Sequence, residues 1–563
     1  MAVLGGVTTD GIVKALELFL LDYGLSCEFY ATEYNQFYQE ALFPSQELLD
    51  FKPDFIYVCT SSRNLNRFPE LSDSEEEVKA LLDTEFARFT AVYDSLRERF
   101  KCPVIANNFE PPLYRLLGNL DAVDHHGRVH FINSLNVRLA EYARTHEQFY
   151  LCDLNYIAAD YGISRFCDLK AWYLYKYPCA VEAIPYLSAN VARILKSLLG
   201  KNHKGFVLDL DNTLWGGVVG DDGPDGIEVG PEEATGQAYL EFQQYLKAHQ
   251  NLGIILNVNS KNDEANAKAG LEQSSGVLKR EDFICFKANW ESKDRNLAAI
   301  ARELNLLPES LVFVDDNPAE RAMVKASFPG VSAPEIGTVS DYIRVLDRNG
   351  YFEVTTLSKD DARRHQMYRE NAARAELEAK FTDYREYLLS LQMVAAIRPF
   401  APPFLERIAQ LTNKSNQFNL TTRRFSVDEI EALSHDGNYI TLSGRLKDKF
   451  GDNGLVSVAA GELEESAEGI VCHLRLWLMS CRVLKRDLEQ AMTDALVDAC
   501  RARGVTKILG YYYPTAKNAM VRDFYGRMGY TRLSLDEEGN SVWGLAVAGY
   551  KKQNTVITVR EDY

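Results

Sequence analysis

The first part of the chain alternates short apolar runs with longer amphipathic stretches. "FKPDFIYVCTS" (51–61), "CPVIANNF" (102–109) and "FYLCDLN" (149–155) have the apolar cores and polar ends of strands. Between the first two, "EEEVKALLDTEFARFTAVYDSLRERF" has the period of a surface helix. Strands separated by helices predict a parallel α/β domain over residues 1–200. A second α/β block, 201–345, shows apolar strands at 206–210, 253–257 and 311–314. Residues 346–395 read as a connector, since the stretch 358–393 is rich in Ala, Glu, Arg and Leu, lacks Gly and Pro, and is predicted helical. The remainder, 396–563, mixes strands and helices in an α+β pattern. There the long strand "IVCHLRLWLMS" (470–480) runs straight into "CRVLKRDLEQAMTDALVDACRARG". Leu484, Leu488, Ala491, Ala495 and Ala499 recur at helical spacing and predict an amphipathic helix that starts at Cys481. No internal repeat or low-complexity tract interrupts this order.

The second block ends its strands in an unusual way. "FVLDLDNTLWGGVVGDDG" (206–223) leads from a buried strand into Asp209, Asp211 and Thr213. "GIILNVNSKN" ends near Ser260, "NWESKDRNL" supplies Lys293, and "LVFVDDNPAER" ends in Asp315 and Asp316. Carboxylates at the ends of buried strands are costly unless something cationic meets them. In a parallel sheet the carboxyl ends line one crevice, so these groups are predicted to converge there. Hard carboxylate oxygens suit Mg²⁺, which keeps waters for a substrate phosphate. Ser260, Thr213 and Lys293 are then expected to hold phosphate oxygens, and a carboxylate can serve as nucleophile. Each element alone could be an ordinary helix cap, because Asp, Ser and Asn are favoured there. The interval from Ser260 to Lys293 is short and the segment after Thr213 is a glycine-containing hairpin, so a minimal cap is expected over the site.

Composition narrows the class. The chain has 563 residues, 46% hydrophobic and 25% charged, as in ordinary globular protein. A net charge of -18 argues against nucleic-acid binding, and no uninterrupted apolar stretch is long enough for a membrane span. "MAVLGGVTTDGI" lacks the basic lead of a signal peptide, and ten cysteines without a CxxC pair fit reduced thiols. A cytoplasmic location is expected.

Two features of the last third carry candidate chemistry. "ERIAQLTNKSNQFNLTTRRFS" (406–426) is rich in amide and hydroxyl side chains, which usually form hydrogen-bonded turns. Cys481, if it opens a helix beside Arg482, Lys485 and Arg486, is expected to be shifted toward thiolate. The plain alternative is a small buried hydrophobe at a strand end. His473 lies eight residues up the strand, about 26 Å away at 3.3 Å per residue, too far to pair with it along the strand.

The four strand-end features resemble, in order, the motifs of the haloacid-dehalogenase (HAD) phosphatase superfamily. That resemblance implies that Asp209 attacks phosphorus and that Asp211 is the general acid and base. It also implies that Mg²⁺ lies between Asp209, the Asp211 carbonyl, Asp315 and Asp316. Across the whole chain, "GGVTTD", "LDLDNTLWGGVVGDDG", "QLTNKSNQFNLTTRRFS", "FGDNGLVSV" and "SCRVLKRDLE" resemble the FkbH-like family of polyketide pathways. The last segment departs from the family's SCRVLGRGVE-like pattern by Lys485 and Asp487 in place of glycine. The resemblance implies a degenerate SGNH-hydrolase-like domain over 1–200, with "GGVTTD" in place of a GDS nucleophile motif and no histidine in "DLKAW". It further implies a Rossmann-like HAD domain with minimal cap and a GNAT-like α+β C-terminal domain. The expected reaction takes a glyceryl unit from 1,3-bisphosphoglycerate as a Cys481 thioester, removes its phosphate, and loads it on the phosphopantetheine thiol of an acyl carrier protein. Loss of the two glycines speaks against an acetyl-CoA pyrophosphate cradle. Asn416, Gln417, Asn419, Arg423, Arg424, Arg482, Lys485 and Arg486 are candidate contacts to carrier or substrate, with Lys447 and Lys449 as further basic groups. The first domain is expected to act as scaffold or carrier-docking module. Two other readings compete: a Mg²⁺ phosphatase for a free small phosphomonoester, and a docking scaffold with vestigial sites.

Overall fold

The computed structural model describes residues 1–273, 275–357, 364–467 and 469–560. They divide into two compact units, Met1–Lys201 with Glu353–Thr355, and Asn202–Phe352 with Thr356–Tyr563. The fold class is α/β with several layers, as the alternation of elements predicts.

The first unit is built on an all-parallel sheet of β1 (Ala2–Gly5), β2 (Tyr30–Ala31), β3 (Ile56–Cys59), β4 (Val104–Asn107) and β5 (Phe149–Cys152), in the order β2-β1-β3-β4-β5. Helices cover both faces, so β1, β3 and β4 are buried throughout and read as continuous apolar runs. β1 is absent from the sequence reading because its run is short and passes at once into glycines. The helix Glu75–Phe100 begins with a reciprocal capping box between Ser74 and Glu77 and ends where Lys101 turns left-handed at φ 52°. Its buried stripe of Phe89, Val92, Tyr93 and Leu96 packs on one face of the sheet. The helices Asp10–Asp22 and Ile184–Leu198 pack on the other.

In the second unit β6 (Gly205–Leu208), β7 (Ile255–Ser260), β8 (Phe283–Ala288) and β9 (Leu311–Val314) form a parallel sheet in the order β8-β7-β6-β9. β7 starts two residues later than its apolar run, because Gly253 at φ 79° closes the turn after the helix Ala234–Asn251. β8 escapes the sequence reading because it is an edge strand whose Phe286 and Lys287 are half-buried, which interrupts its apolar run.

The last part of this unit holds β10 (Val394–Arg398), β11 (Tyr439–Asp448), β12 (Gly451–Ser466), β13 (Gly469–Met479), β14 (Val505–Tyr512), β15 (Thr531–Leu535), β16 (Ser541–Ala546) and β17 (Thr558–Arg560). Their order is β15-β16-β14-β13-β12-β11-β10-β17. β13 and β14 are parallel neighbours only from Ile470 to His473. Beyond that point they part, and the segment from Phe418 to Thr421 lies between them. Leu420 N–H donates to the Trp477 carbonyl at 3.0 Å, Met479 N–H to Phe418 at 3.0 Å, and Tyr513 N–H to Leu420 at 2.9 Å. The amide-rich stretch thus forms the hydrogen-bonded structure its composition predicts, in a place the sequence did not indicate.

The connector contains the helices Arg364–Glu378 and Tyr384–Ser390, while its residues 358–363 lie outside the described residues. The first helix joins both sheets of the unit. Tyr368 belongs to the core beneath β6 and β7, and Arg374 reaches Asp448 at the end of β11 through two bonds of 2.7 Å. Asp448 also accepts from Arg486 at 3.2 Å and from the backbone of Phe450 and Gly451. All three charged side chains are buried.

The helix predicted to open at Cys481 does not. Cys481–Val483 is a single 3-10 turn, Lys485 (φ 63°) and Asp487 (φ 57°) are left-handed, and the long helix is Leu488–Ala502. Leu484 therefore falls outside the helix although its spacing fits. The two positions that carry glycine in the family pattern are the two that need positive φ, so those glycines serve the backbone of this turn.

Two stability effects are expected. Asp448→Ala leaves two buried arginines without their carboxylate and should cost about 3–5 kcal/mol, read as a lower urea midpoint. Lys485→Gly removes a Cβ from a left-handed position and should raise stability by about 1 kcal/mol, read the same way.

Candidate active site

The carboxyl ends of β6 and β9 place Asp209, Asp315 and Asp316 one residue or two beyond their strands, and their carboxylate oxygens lie within 4.8 Å of one another. Lys293, the first residue of the helix Lys293–Glu303, extends its ammonium between them, 2.8 Å from Asp209 and 2.5 Å from Asp315. Lys293 and Asp315 are almost wholly enclosed. The helix start is tied to β7 by the Asn259 side-chain amide, which donates to the Lys293 carbonyl at 2.8 Å. Ser260 ends β7 in the same layer and is buried. Thr213 is wholly buried, and its hydroxyl accepts the Asp316 N–H at 3.2 Å. It thereby positions the β9 loop.

Asp211 is held by donors of its own. One of its oxygens accepts from the Trp215 indole N–H at 2.9 Å and from the Val219 N–H at 3.0 Å, and the other from Asn262 at 3.0 Å. Asn212, just after the second acid, is left-handed at φ 54°, and its carbonyl accepts from the phenols of Tyr239 and Tyr342. The glycine-rich segment folds back as a small hairpin closed by paired bonds between Gly216 and Glu228. Gly217, at φ 90°, leaves only 2.7 Å to Asp222 where a Cβ would stand, which explains a glycine there. Trp215, Asn262 and Arg321, whose guanidinium donates to the Asp315 and Asp316 carbonyls at 2.7 Å each, were not singled out by sequence. Asn262 reaches Asp211 from the segment after β7, while Trp215 and Arg321 act within the segments that carry the acids.

Burial dominates the electrostatics. It raises Asp315 to about 6, with the neighbouring Asp209 carboxylate adding to the effect. Burial also raises Asp316, again with Asp209, and raises Asp211 despite its three donors. Burial opposes the charge on Lys293, but Asp209 and Asp315 together hold it above its ordinary value. One oxygen of Asp209, Oδ1, is buried with no hydrogen-bond partner. An unpartnered carboxylate oxygen facing two more acids, with one lysine against three carboxylates, fits a hard divalent cation.

The chain's first 196 residues match the family model described as "FkbH, N-terminal domain". A solved structure, the N-terminal part of a Bacteroides fragilis protein containing a phosphatase domain complexed with Mg, is 32% identical to this chain. It covers 63% of this chain and 94% of its own length, with a TM-score of 0.58. The chain belongs to the FkbH-like family. The ribosomal-protein-S18-alanine N-acetyltransferase of Escherichia coli is also similar, at 12% identity over 29% of this chain and 99% of its own, with a TM-score of 0.21. The GNAT domain of the S. lividans protein PAT is 16% identical over 27% and 89%, with a TM-score of 0.22. These last two likenesses are too slight to bear on the chemistry. No curated protein matches the chain.

Most of the remaining candidates in this FkbH-like chain have partners of their own. Cys481 is half-buried against the core cluster that contains Val207, Ile255, Leu297 and Tyr368. Because no helix starts there, activation by a helix N-terminus falls away. His473 bonds Tyr511 at 2.7 Å and faces Glu464, as expected of a residue that is no partner to Cys481. Several expected carrier contacts hold the fold instead. Arg486 is buried on Asp448, Asn453 and Asn371. Asn419 is buried between β13 and β14, with its carbonyl accepting from Asn518. Arg424 is half-buried and bonds the carbonyls of Thr412 and Asn413 and the side chain of Asn416. Arg482 donates to Ser480 and Met367. Gln417 is half-buried, and Arg423, Lys447, Lys449 and Lys485 remain exposed. Among the described residues no helix is long and apolar enough to cross a membrane.

The crevice predicts how metal and protons compete. Without a cation, a carboxyl held above its unfolded value weakens the fold at pH above its folded pKa, and stops doing so as pH falls through the ordinary carboxylate range. Mg²⁺ must displace those same protons. The Mg²⁺-induced rise in melting temperature should therefore be larger at about pH 7.5 than at about pH 5.5, because Asp315 titrates near 6. It should vanish in Asp315→Asn at both.

Proposed function

We propose that the chain is a Mg²⁺-dependent phosphatase and acyltransferase. It takes a phosphoglyceryl unit from 1,3-bisphosphoglycerate, removes the phosphate, and delivers glycerate to an acyl carrier protein for polyketide biosynthesis. The observation that carries the phosphatase half is the buried, unpartnered Asp209 oxygen beside Lys293, Asp315 and Asp316. It is supported by a relative whose phosphatase domain is complexed with Mg. Asp209, Asp315, Asp316 and the Asp211 carbonyl would hold Mg²⁺, which when bound offsets phosphate charge.

In the phosphatase step an Asp209 oxygen attacks phosphorus, and the bond from phosphorus to the glyceryl oxygen breaks. Asp211, raised by burial, donates its proton to that leaving oxygen. It then takes a proton from the water that cleaves the Asp209 phosphate. Lys293, 2.8 Å from Asp209, orients it between its neighbours. In the acyl step the Cys481 sulfur attacks the acyl-phosphate carbon and inorganic phosphate leaves. The phosphopantetheine thiolate later attacks the thioester carbon and the bond to Cys481 breaks. Cys481 is supported as the only half-exposed cysteine in the unit that carries the crevice, the others with comparable exposure being Cys27 and Cys167. Its place outside a helix start favours a second reading, a phosphatase for a free small phosphomonoester.

Intact-protein mass spectrometry separates the two. Asp209→Asn incubated with Mg²⁺ and 1,3-bisphosphoglycerate generated in place should gain a phosphoglyceryl adduct that is missing when Cys481→Ala is added to the variant. Absence of the adduct from both proteins removes Cys481 from the reaction and leaves the free-substrate phosphatase.

A further inference from the structure

The carboxyl end of the first unit's sheet carries a surface that none of this chemistry uses. After β4, Tyr114, Leu116 and Val123 are 57%, 64% and 74% exposed. After β5, the short helix Leu169–Tyr175 exposes Tyr173 and Tyr175 by 64% and 58%. The loop that follows β3 joins the two groups. Its Arg63 lies 5.3 Å from the Trp172 ring in that helix, and its Phe68 lies under Arg128, which also covers Tyr114 at 4.7 Å. Lys176 approaches Trp172 from a further side, and its carbonyl accepts the Thr8 N–H beyond β1. The exposed rings and arginines therefore form one continuous face over the strand ends.

This face gathers basic side chains that have no ion-pair partner. Arg63, Arg115, Arg128, Lys170 and Lys176 are in no ion pair among the described residues. Several acids of the same segments are held by the fold, while Glu70 of the loop after β3 is exposed. Glu110 is buried and accepts from Ser62, and Asp121 is buried and accepts from Leu117 and Val129. Asp124 bonds His126, and Asp153 and Asp168 cap helices. In a chain of net charge -18, five unpaired cations set among exposed aromatic rings match an acidic protein surface with an apolar centre. Arginines already stacked on rings lose little freedom on binding, and aromatic and arginine side chains are the usual anchors of such contacts.

We infer that this face docks an acidic protein module, and that the module is the carrier protein; the identity of the module rests on the function proposed above. The test is binding of a fluorescently labelled acyl carrier protein to the full chain, alongside loading and hydrolysis of p-nitrophenyl phosphate. Arg115→Glu with Lys170→Glu, two exposed changes, should weaken carrier binding at least tenfold and leave p-nitrophenyl phosphate hydrolysis unchanged. Added salt should narrow the gap between variant and wild type. The charge-conserving pair Arg115→Lys with Lys170→Arg should bind as wild type, and its melting curve should match that of the charge-reversed protein. Carrier affinity equal in wild type and charge-reversed chains overturns the inference, as does absence of carrier binding to wild type. Carrier binding that is lost in the charge-reversed protein, with no glyceryl transfer in wild type, supports the docking face while removing the proposed reaction.

Discussion

The burial of Lys293 among three carboxylates is the constraint on which the rest of the second unit turns. Lys293, Asp209 and Asp315 are buried together, with Asp316 half-buried beside them, where the parallel sheet ends and two loops supply backbone and side-chain donors. Removing Lys293 would leave the buried carboxylates without their cation, which costs far more than the pair itself contributes. The surrounding detail follows from this. Thr213 and Arg321 fix the backbone of the β9 loop, Asn259 fixes the start of the lysine's helix, and two tyrosine phenols hold the left-handed Asn212 after the acids of β6. A site held from three strands tolerates little displacement, which is what directional attack on phosphorus requires.

A second buried network has a different task. Arg374, Asp448 and Arg486 join a connector helix to a strand end and to the turn after Cys481. They fix that turn relative to the helix that also packs beneath β6 and β7. The position of the Cys481 turn is thus set by contacts many residues away in sequence, and its two left-handed residues are tolerated because the network over-determines them.

The parallel sheets and the strand-end acids were legible because both leave local marks: an apolar run for each buried strand, and polar residues at its carboxyl end. What escaped was whatever depends on contact between distant segments. β8 was hidden by its edge position, which lets Lys287 interrupt the run. Asn262 supports Asp211 from another loop, and Trp215 and Arg321 support the acids of their own segments through side chains that carry no pattern of their own. The helix at Cys481 was misread because Leu484 fits the helical period by coincidence, whereas the left-handed turn is marked only by the family's glycines, which this chain lacks. Arg486 and Asn419 looked like surface groups by composition and prove to be interior, since burial of a polar side chain is decided by the partners that reach it.

The strands β13 and β14 separate, and the backbone from Phe418 to Thr421 satisfies the edges they would otherwise expose. Parted strands offer a ready template to any extended molecule that can donate and accept in register. Here the template is already read by the chain itself. Among the described residues, the opening between β13 and β14 is filled by the chain's own backbone, which leaves that part of the sheet closed to another extended strand.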